Sequence, residues 1–275
     1  MVVFPNAKIN IGLDVLRKRP DGYHDISTVM MPIPWRDILE IVPGKGNYDT
    51  LIVTGREICC SPEKNLIIKA VNEFRKYADI PAVDIYLHKV IPDGAGLGGG
   101  SADAAFALKA VNETFSLGCG NELLVEIASA IGADCPFFIY NRPMLCEGTG
   151  TTLSAFDLRL PENLTLVVVK PDVGVSTKAA YSGVAPSIPD ISLQRRLSEL
   201  DFEEWQRVVK NDFEHSVFPL HPIIAKIKNQ LIENGAVYSS MSGSGSSVFA
   251  FYKGDIVADR IKSLFPNCDI LVSRL

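Results

Sequence analysis

The residues best suited to chemistry lie in one stretch, Pro92-Asp93-Gly94-Ala95-Gly96-Leu97-Gly98-Gly99-Gly100-Ser101-Ala102. Glycine lets the main chain take positive φ and come close to a ligand. A helix opening directly behind such a stretch offers N–H groups and the positive end of its dipole, which attract an anion, typically a phosphate. No Gly-Lys-Ser/Thr follows, so this is not a Walker A loop. Gly94-x-Gly96-x-x-Gly99 satisfies the bare dinucleotide pattern, which keeps a nicotinamide enzyme as an alternative. Asp134, in Gly132-Ala133-Asp134-Cys135-Pro136, sits at the corner between a helix end and an apolar run. Such corners commonly carry function, although a turn aspartate bonding its own backbone reads equally well. Lys8 and Asn10 share the polar face of a strand, beside Gly12, where something can approach closely.

The elements that must position these groups follow from period and punctuation. Val83 to Val90 alternates as a strand before the glycines. Behind them, Ser101 is a good N-cap and Asp103 places a negative charge in the first turn. Ala105, Leu108, Val111 and Phe115 form that helix's apolar face. Lys8 to Leu16 reads as a strand with Ile9, Ile11, Leu13 and Val15 on one side. Pro20-Asp21-Gly22 is a turn that presents Tyr23 and His24. Strands are expected over 27–33, 38–42 and 51–54.

Asn65 should cap a helix with the stripe Leu66, Ala70, Phe74 and Tyr77, and Asn121 a helix ending at Gly132. The residue before Pro136 is biased away from helix, so 137–140 is expected to run extended. Further on, 164–169 is a buried strand, Ser176 or Thr177 caps a helix, and Asp201-Phe202-Glu203-Glu204 is a variant capping box. Phe202, Trp205 and Val209 form a buried stripe. Pro222 opens a helix with the face Ile223, Ile227 and Leu231. Met241 to Ser247 reads as a packed glycine-serine turn before the strand 248–252, with a helix over 255–265 and a last strand over 269–273. Helices and strands mix without strict alternation, which argues for α+β rather than a Rossmann sheet.

Composition bounds the partners. The 275 residues suit one large or two modest domains, with 47% hydrophobic and 21% charged residues. A net charge of −5 gives no electrostatic footprint for nucleic acid. No signal peptide or membrane-spanning run is visible, and a cytoplasmic location is expected. Cys59, Cys60, Cys119, Cys135, Cys146 and Cys268 include no Cys-x-x-Cys pair and are expected to be reduced and mostly buried.

Pro92-x-x-x-Gly96-Leu97-Gly98-Gly99-Gly100-Ser101-Ala102 resembles the central motif of the GHMP kinases, which phosphorylate small alcohols. Ala7-Lys8-Ile9-Asn10, Arg19-x-Asp21-Gly22-Tyr23-His24, Gly132-Ala133-Asp134-x-Pro136, Glu147-Gly148-x-Gly150 and Asn211-Asp212-Phe213-Glu214 extend the resemblance along nearly the whole chain. The set is similar to the branch that phosphorylates a cytidylylated methylerythritol in non-mevalonate isoprenoid synthesis. The resemblance implies a two-domain α+β fold: an N-terminal ATP-binding domain (1–154) like domain 2 of ribosomal protein S5, and a ferredoxin-like C-terminal substrate-binding domain (155–275).

The resemblance further implies that ATP lies against residues 92–102, with the Ser101 hydroxyl on Mg²⁺. Asp134 becomes the base for the accepting 2-hydroxyl, with Lys8 beside it. Tyr23 and Tyr181 would stack on the cytosine, His24 would bond its edge, and Asn10 and Thr177 would contact the erythritol or diphosphate part. The helix opens Ser-Ala-Asp where a number of relatives have Ser-Ser-Asn, and Asp103 is expected to face away from the phosphates. The implied partner is a small molecule, with no nucleic acid and no membrane, for a monomer or homodimer. Another alcohol kinase of the same superfamily, and a non-catalytic nucleotide- or RNA-binding module, remain the alternatives.

Overall fold

A computed structural model describes residues 1–58, 61 and 64–275. In chain order the elements of the first half are β1 (Val2–Val3), β2 (Asn6–Lys18), β3 (His24–Arg36), β4 (Ile38–Pro43), β5 (Thr50–Gly55), α1 (Leu66–Phe74), β6 (Val83–Lys89), α2 (Gly99–Thr114), α3 (Asn121–Ile131) and α4 (Cys135–Tyr140). The second half adds β7 (Met144–Gly148), β8 (Thr152–Ala155), β9 (Leu164–Pro171), α5 (Thr177–Ser182), α6 (Leu193–Glu199), α7 (Trp205–Val208), α8 (Phe213–Leu220), α9 (Pro222–Glu233), β10 (Tyr238–Met241), β11 (Val248–Lys253), α10 (Ala258–Leu264) and β12 (Cys268–Arg274).

Contacts divide the chain into two compact units. The first holds Met1–Lys8, Pro32–Asp93 and Gly98–Arg142; the second holds Ile9–Met31, Gly94–Leu97 and Pro143–Leu275. These units interleave along the chain and do not coincide with a single cut after residue 154. The physical reason is sheet pairing: β2, β3, β7 and β8 form one sheet, and Leu13, Val15 and Ile26 join the core built by the C-terminal elements.

In the first unit the sheet order is β1-β4-β6-β5, with only β5 and β6 parallel among its pairs. Leu39, Ile41, Val83, Ile85 and Leu87 are buried on one face, and α2 packs on β4 with α1 beside it. Asn65 caps α1 as expected, its side-chain oxygen accepting from the Ile67 N–H at 2.9 Å. The chain after Ile131 turns at Gly132 and then coils again as α4.

In the second unit, β9 is buried along most of its length, between β11 and β12, in the antiparallel order β10-β11-β9-β12. Val167, Val169, Val248 and Ala250 meet Ile224, Ile227 and Leu231 of α9 and Phe213 and Val217 of α8. The last strand pairs with β9 and so belongs to this unit.

Several expectations are corrected. The helix after the glycines begins at Gly99 with Gly98 as its left-handed cap (φ +70°), so Ser101 stands inside the first turn and is not the N-cap. Asp103 therefore lies beyond the first turn, where it is buried against Lys89. Residues 135–140 are helical: Pro136 falls in the first turn, where its missing N–H costs nothing. In α1 the buried residues are Ile67, Ala70, Val71 and Phe74, and Tyr77 lies past the helix end, exposed.

In α9 it is Ile224, not Ile223, that is buried with Ile227 and Leu231. Gly120, not Asn121, caps α3. Asp201 makes no side-chain cap bond, so the capping box is absent, although Phe202, Trp205 and Val209 are buried. Ser176, and not Thr177, caps α5. Cys135 and Cys146 are buried and Cys119 and Cys268 half-buried, with no disulfide among these four; Cys59 and Cys60 lie outside the described residues. Among the described residues no helix is long and apolar enough to cross a membrane.

Candidate active site

The first unit gathers Lys8, Asp134 and the opening turn of α2. Gly98 takes a left-handed conformation and its carbonyl starts the helix ladder, accepting from Ala102 N at 2.9 Å. No side chain caps this end, so the N–H groups of the opening turn are available to a ligand's oxygens. Lys8 lies immediately beside it: a Cβ on Gly98 would stand 3.2 Å from Lys8 Cε and 3.0 Å from the Phe138 ring. A side chain at 98 would therefore crowd the lysine. Lys8 Nζ is 3.5 Å from Asp134 Oδ2; the lysine is buried and the carboxylate one-third exposed. Asp134 reaches this position because α3 ends at Gly132 and α4 begins at Cys135.

Ser101 borders the same group through Cys135. Burial pushes the Cys135 thiol up to about 12, with a hydrogen bond to Ser101 pulling the other way. A thiol so placed stays protonated and is no nucleophile. No cluster of three or more His, Cys, Asp or Glu suited to a metal occurs among the described residues. A cation here would draw on the Ser101 hydroxyl and on oxygens that a ligand brings. That donor set suits Mg²⁺, which keeps water and phosphate ligands in preference to an all-protein cage.

The second unit holds the remaining glycines and the aromatic residues. Gly94 and Gly96 both take positive φ, +59° and +73°. Ser242 Oγ donates to Gly96 O at 2.9 Å, and Ser247 N donates to Ala95 O at 3.1 Å. The turn 242–247 is largely buried and held from behind by the Asn-Asp-Phe-Glu segment. Asn211 Nδ2 donates to Met241 O and Gly243 O, both at 2.8 Å, and Glu214 Oε1 accepts from Met241 N at 2.8 Å. These clamps connect residues 27 to 32 positions apart, and no local pattern announces them.

Asn10 N donates to Ser242 Oγ at 3.2 Å, and Asn10 Nδ2 donates to Thr28 Oγ1 at 3.1 Å. Thr28 escaped the sequence reading because it looks like any strand threonine. His24 stacks on Tyr181 with ring centroids 4.8 Å apart, and Tyr181 meets Phe213 edge-on at 4.6 Å. The structure thus joins His24 to Tyr181, whereas Tyr23 stands 68% exposed at the exit of its turn. That turn forms as expected: Gly22 has φ +87°, and Asp21 Oδ1 accepts from Tyr23 N at 3.0 Å. Thr177 Oγ1 lies 3.4 Å from Ser244 Oγ, at the surface. Pro92 is buried and Asp93 exposed at the start of the glycine stretch.

Known proteins match this architecture. The family models for the GHMP kinases N-terminal domain and the GHMP kinases C-terminal domain match residues 65–142 and 192–267. A 4-diphosphocytidyl-2-C-methyl-D-erythritol kinase of Parabacteroides distasonis is 51% identical over 98% of this chain and 97% of its own length. One of the same name from Bacteroides fragilis is 50% identical over 92% of both. A crystal structure of a 4-(cytidine 5'-diphospho)-2C-methyl-D-erythritol kinase superposes with a TM-score of 0.81 at 30% identity, covering 100% of this chain and 98% of that one. Homoserine kinase from Cytophaga hutchinsonii, at 20% identity and a TM-score of 0.69, shares the fold. With both family models matched and such identity sustained from end to end, the chain belongs to the GHMP kinases, in the branch of the first two relatives named.

Proposed function

We infer that this chain is an ATP-dependent kinase that phosphorylates the 2-hydroxyl of 4-diphosphocytidyl-2-C-methyl-D-erythritol. The observation that carries the reading is the Lys8–Asp134 pair beside the uncapped opening turn of α2. Phosphoryl transfer asks little covalent chemistry of a protein and much positioning and charge neutralisation. Amides of 94–101 would hold the triphosphate, with Pro92, Asp93 and Ala102 flanking them. Lys8 would neutralise charge on the transferred group, and Asp134 would accept or steer the hydroxyl proton. Mg²⁺, held in part by Ser101, would supply further charge neutralisation.

In the second unit the His24–Tyr181 pair supports a place for a flat base, with Tyr23 free to close over it; Asn10 and Thr177 would hold the rest of the acceptor. The labour then divides between nucleotide binding, mainly within 1–154, and acceptor binding, completed by 155–275. A cytoplasmic enzyme with a small-molecule acceptor, as monomer or homodimer, fits this reading. The test is turnover of the purified chain with ATP and Mg²⁺ on the cytidylylated substrate, beside mevalonate, homoserine and galactose. Turnover on the cytidylylated substrate alone is expected; preference for another alcohol, or none for any, overturns the assignment.

A further inference from the structure

Helix α4 carries two attachments that the phosphotransfer chemistry does not use. Asp134 stands directly before this helix and Asn141 directly after it. At the far end, Asn141 Nδ2 donates to Asn6 Oδ1 at 2.8 Å, and Asn6 Nδ2 donates to Ala7 O at 2.9 Å. Asn6 and Lys8 lie two apart on β2, so their side chains leave the same face of the strand. The opening of β2 therefore meets both ends of α4, with Lys8 at Asp134 and Asn6 at Asn141. The other attachment comes from α2. Lys109 Nζ donates to Phe138 O at 2.9 Å, one of the last four carbonyls of α4, which the helix's own ladder leaves open. The same ammonium lies 5.0 Å from the centre of the Phe106 ring. The helix behind Asp134 is thus tied both to the strand that carries Lys8 and to the helix whose opening turn lies beside that lysine.

We propose that Asn6, Asn141 and Lys109 are positioning residues that fix the tilt of α4 and so hold the Asp134 carboxylate at the Lys8 ammonium. This rests on the phosphotransfer reading and deepens it. The lever is short: at 1.5 Å per residue α4 is about 9 Å long, so a tilt of about 6° at one end moves the other by about 1 Å. A displacement of that size at a reacting group costs about a hundredfold in rate. The Lys8–Asp134 contact alone, at 3.5 Å and with the carboxylate one-third exposed, leaves that tilt open. Stability is a poor reason for the amide pair. Asn141 Oδ1 is buried with no hydrogen-bond partner, a cost that offsets the bond its Nδ2 makes. What two facing amides supply, and an apolar contact does not, is a fixed distance and direction.

The test uses the full-length protein with Asn141→Gly and Lys109→Met. Glycine takes the left-handed φ of +49° at position 141 without strain, so only the amide is lost. Methionine keeps most of the lysine stem beside Phe106 and loses the donor. Steady-state kinetics on the cytidylylated substrate, MgATP calorimetry and thermal melts are read together. Each variant should lower kcat about tenfold, part of the loss a full 1 Å displacement brings, while both KM values and the MgATP affinity stay within about twofold. In an Asp134→Asn background neither substitution should lower kcat further, because residues that act as a unit are not additive. Wild-type kcat in either variant, whatever the melts show, overturns the proposal and leaves the kinase reading standing. So does a loss carried by KM, or an equal loss in the Asp134→Asn background. A wild type without turnover on the cytidylylated substrate overturns the kinase reading, and the proposal with it. Should either variant fail to fold, Asn6→Ala decides by the same criteria.

Discussion

Gly94 and Gly96 look equivalent in the sequence, yet the structure predicts unequal outcomes for their replacement by alanine. Both have positive φ, so each substitution carries the left-handed strain of an L-residue, about 1–2 kcal/mol. Around Gly94 nothing lies within 4 Å of an added Cβ, and strain is the whole cost. At Gly96 the Cβ would stand 2.1 Å from Ser242 O, against the 3.0 Å below which real Cβ contacts essentially never fall. Relief requires a shift of about 1 Å, and the obstacle is main chain.

That main chain cannot give way alone: Ser242 O accepts from Gly245 N at 2.9 Å and Ser242 N donates to Ser247 O at 2.8 Å. A misplacement of about 1 Å in a positioning element costs about a hundredfold in rate. The assay is kcat/KM for ATP, with thermal melts as a control on folding. Gly94→Ala should lose about five- to thirtyfold, the factor worth about 1–2 kcal/mol. Gly96→Ala should fall about a hundredfold while still folding. Equal activity of the two variants would refute the close-packing argument.

Other outcomes follow from the same geometry. Asp134→Asn should cut kcat by about a hundredfold or more, the usual worth of a general base, with MgATP affinity nearly unchanged; near-normal turnover removes Asp134 from that role. Tyr181→Ala and Tyr23→Ala should each raise the acceptor KM by about tenfold, from stacking worth about 1–3 kcal/mol per base, without moving the KM for ATP. If only Tyr181→Ala does so, Tyr23 is a bystander. Burial raises Asp14 to about 6, with Arg196 opposing and Asp212 adding. The folded pKa lies above the unfolded one, so the native state holds the extra proton and this group's stability falls as pH rises from about 4 to about 6. Asp14→Asn should therefore gain on wild type in urea melts across that interval, and a constant difference would contradict the sign.

Much of this was legible because it is local. The glycine stretch, the strand before it and the helix behind it follow from period and punctuation, and the Pro-Asp-Gly turn from its own residue types. The helix start was misplaced because Ser101 has the chemistry of a cap, whereas a left-handed Gly98 set the boundary first. Adjacent apolar residues such as Leu66 and Ile67, or Ile223 and Ile224, cannot be ranked by period alone, and tertiary packing chose the second of each. The Pro136 segment misled because proline disfavours helix before itself yet suits a helix's first turn. Lys89 and Asp37, 52 residues apart, and Asn211 with the turn it holds, 30 and more apart, have no signature that a window can see.

The final strand has a consequence for how the molecule is made. Residues 268–274 pair with 165–171 along the full length of β9, and Leu275 N donates to Leu164 O at 2.9 Å. The strand at the heart of the second unit keeps one side bare until residues 268–274 have been made and can lie along it. Vectorial synthesis can therefore settle the first unit early, but the second must wait for residues 268–274. A chain cut short before residue 268 would leave an unpaired apolar edge seeking another chain.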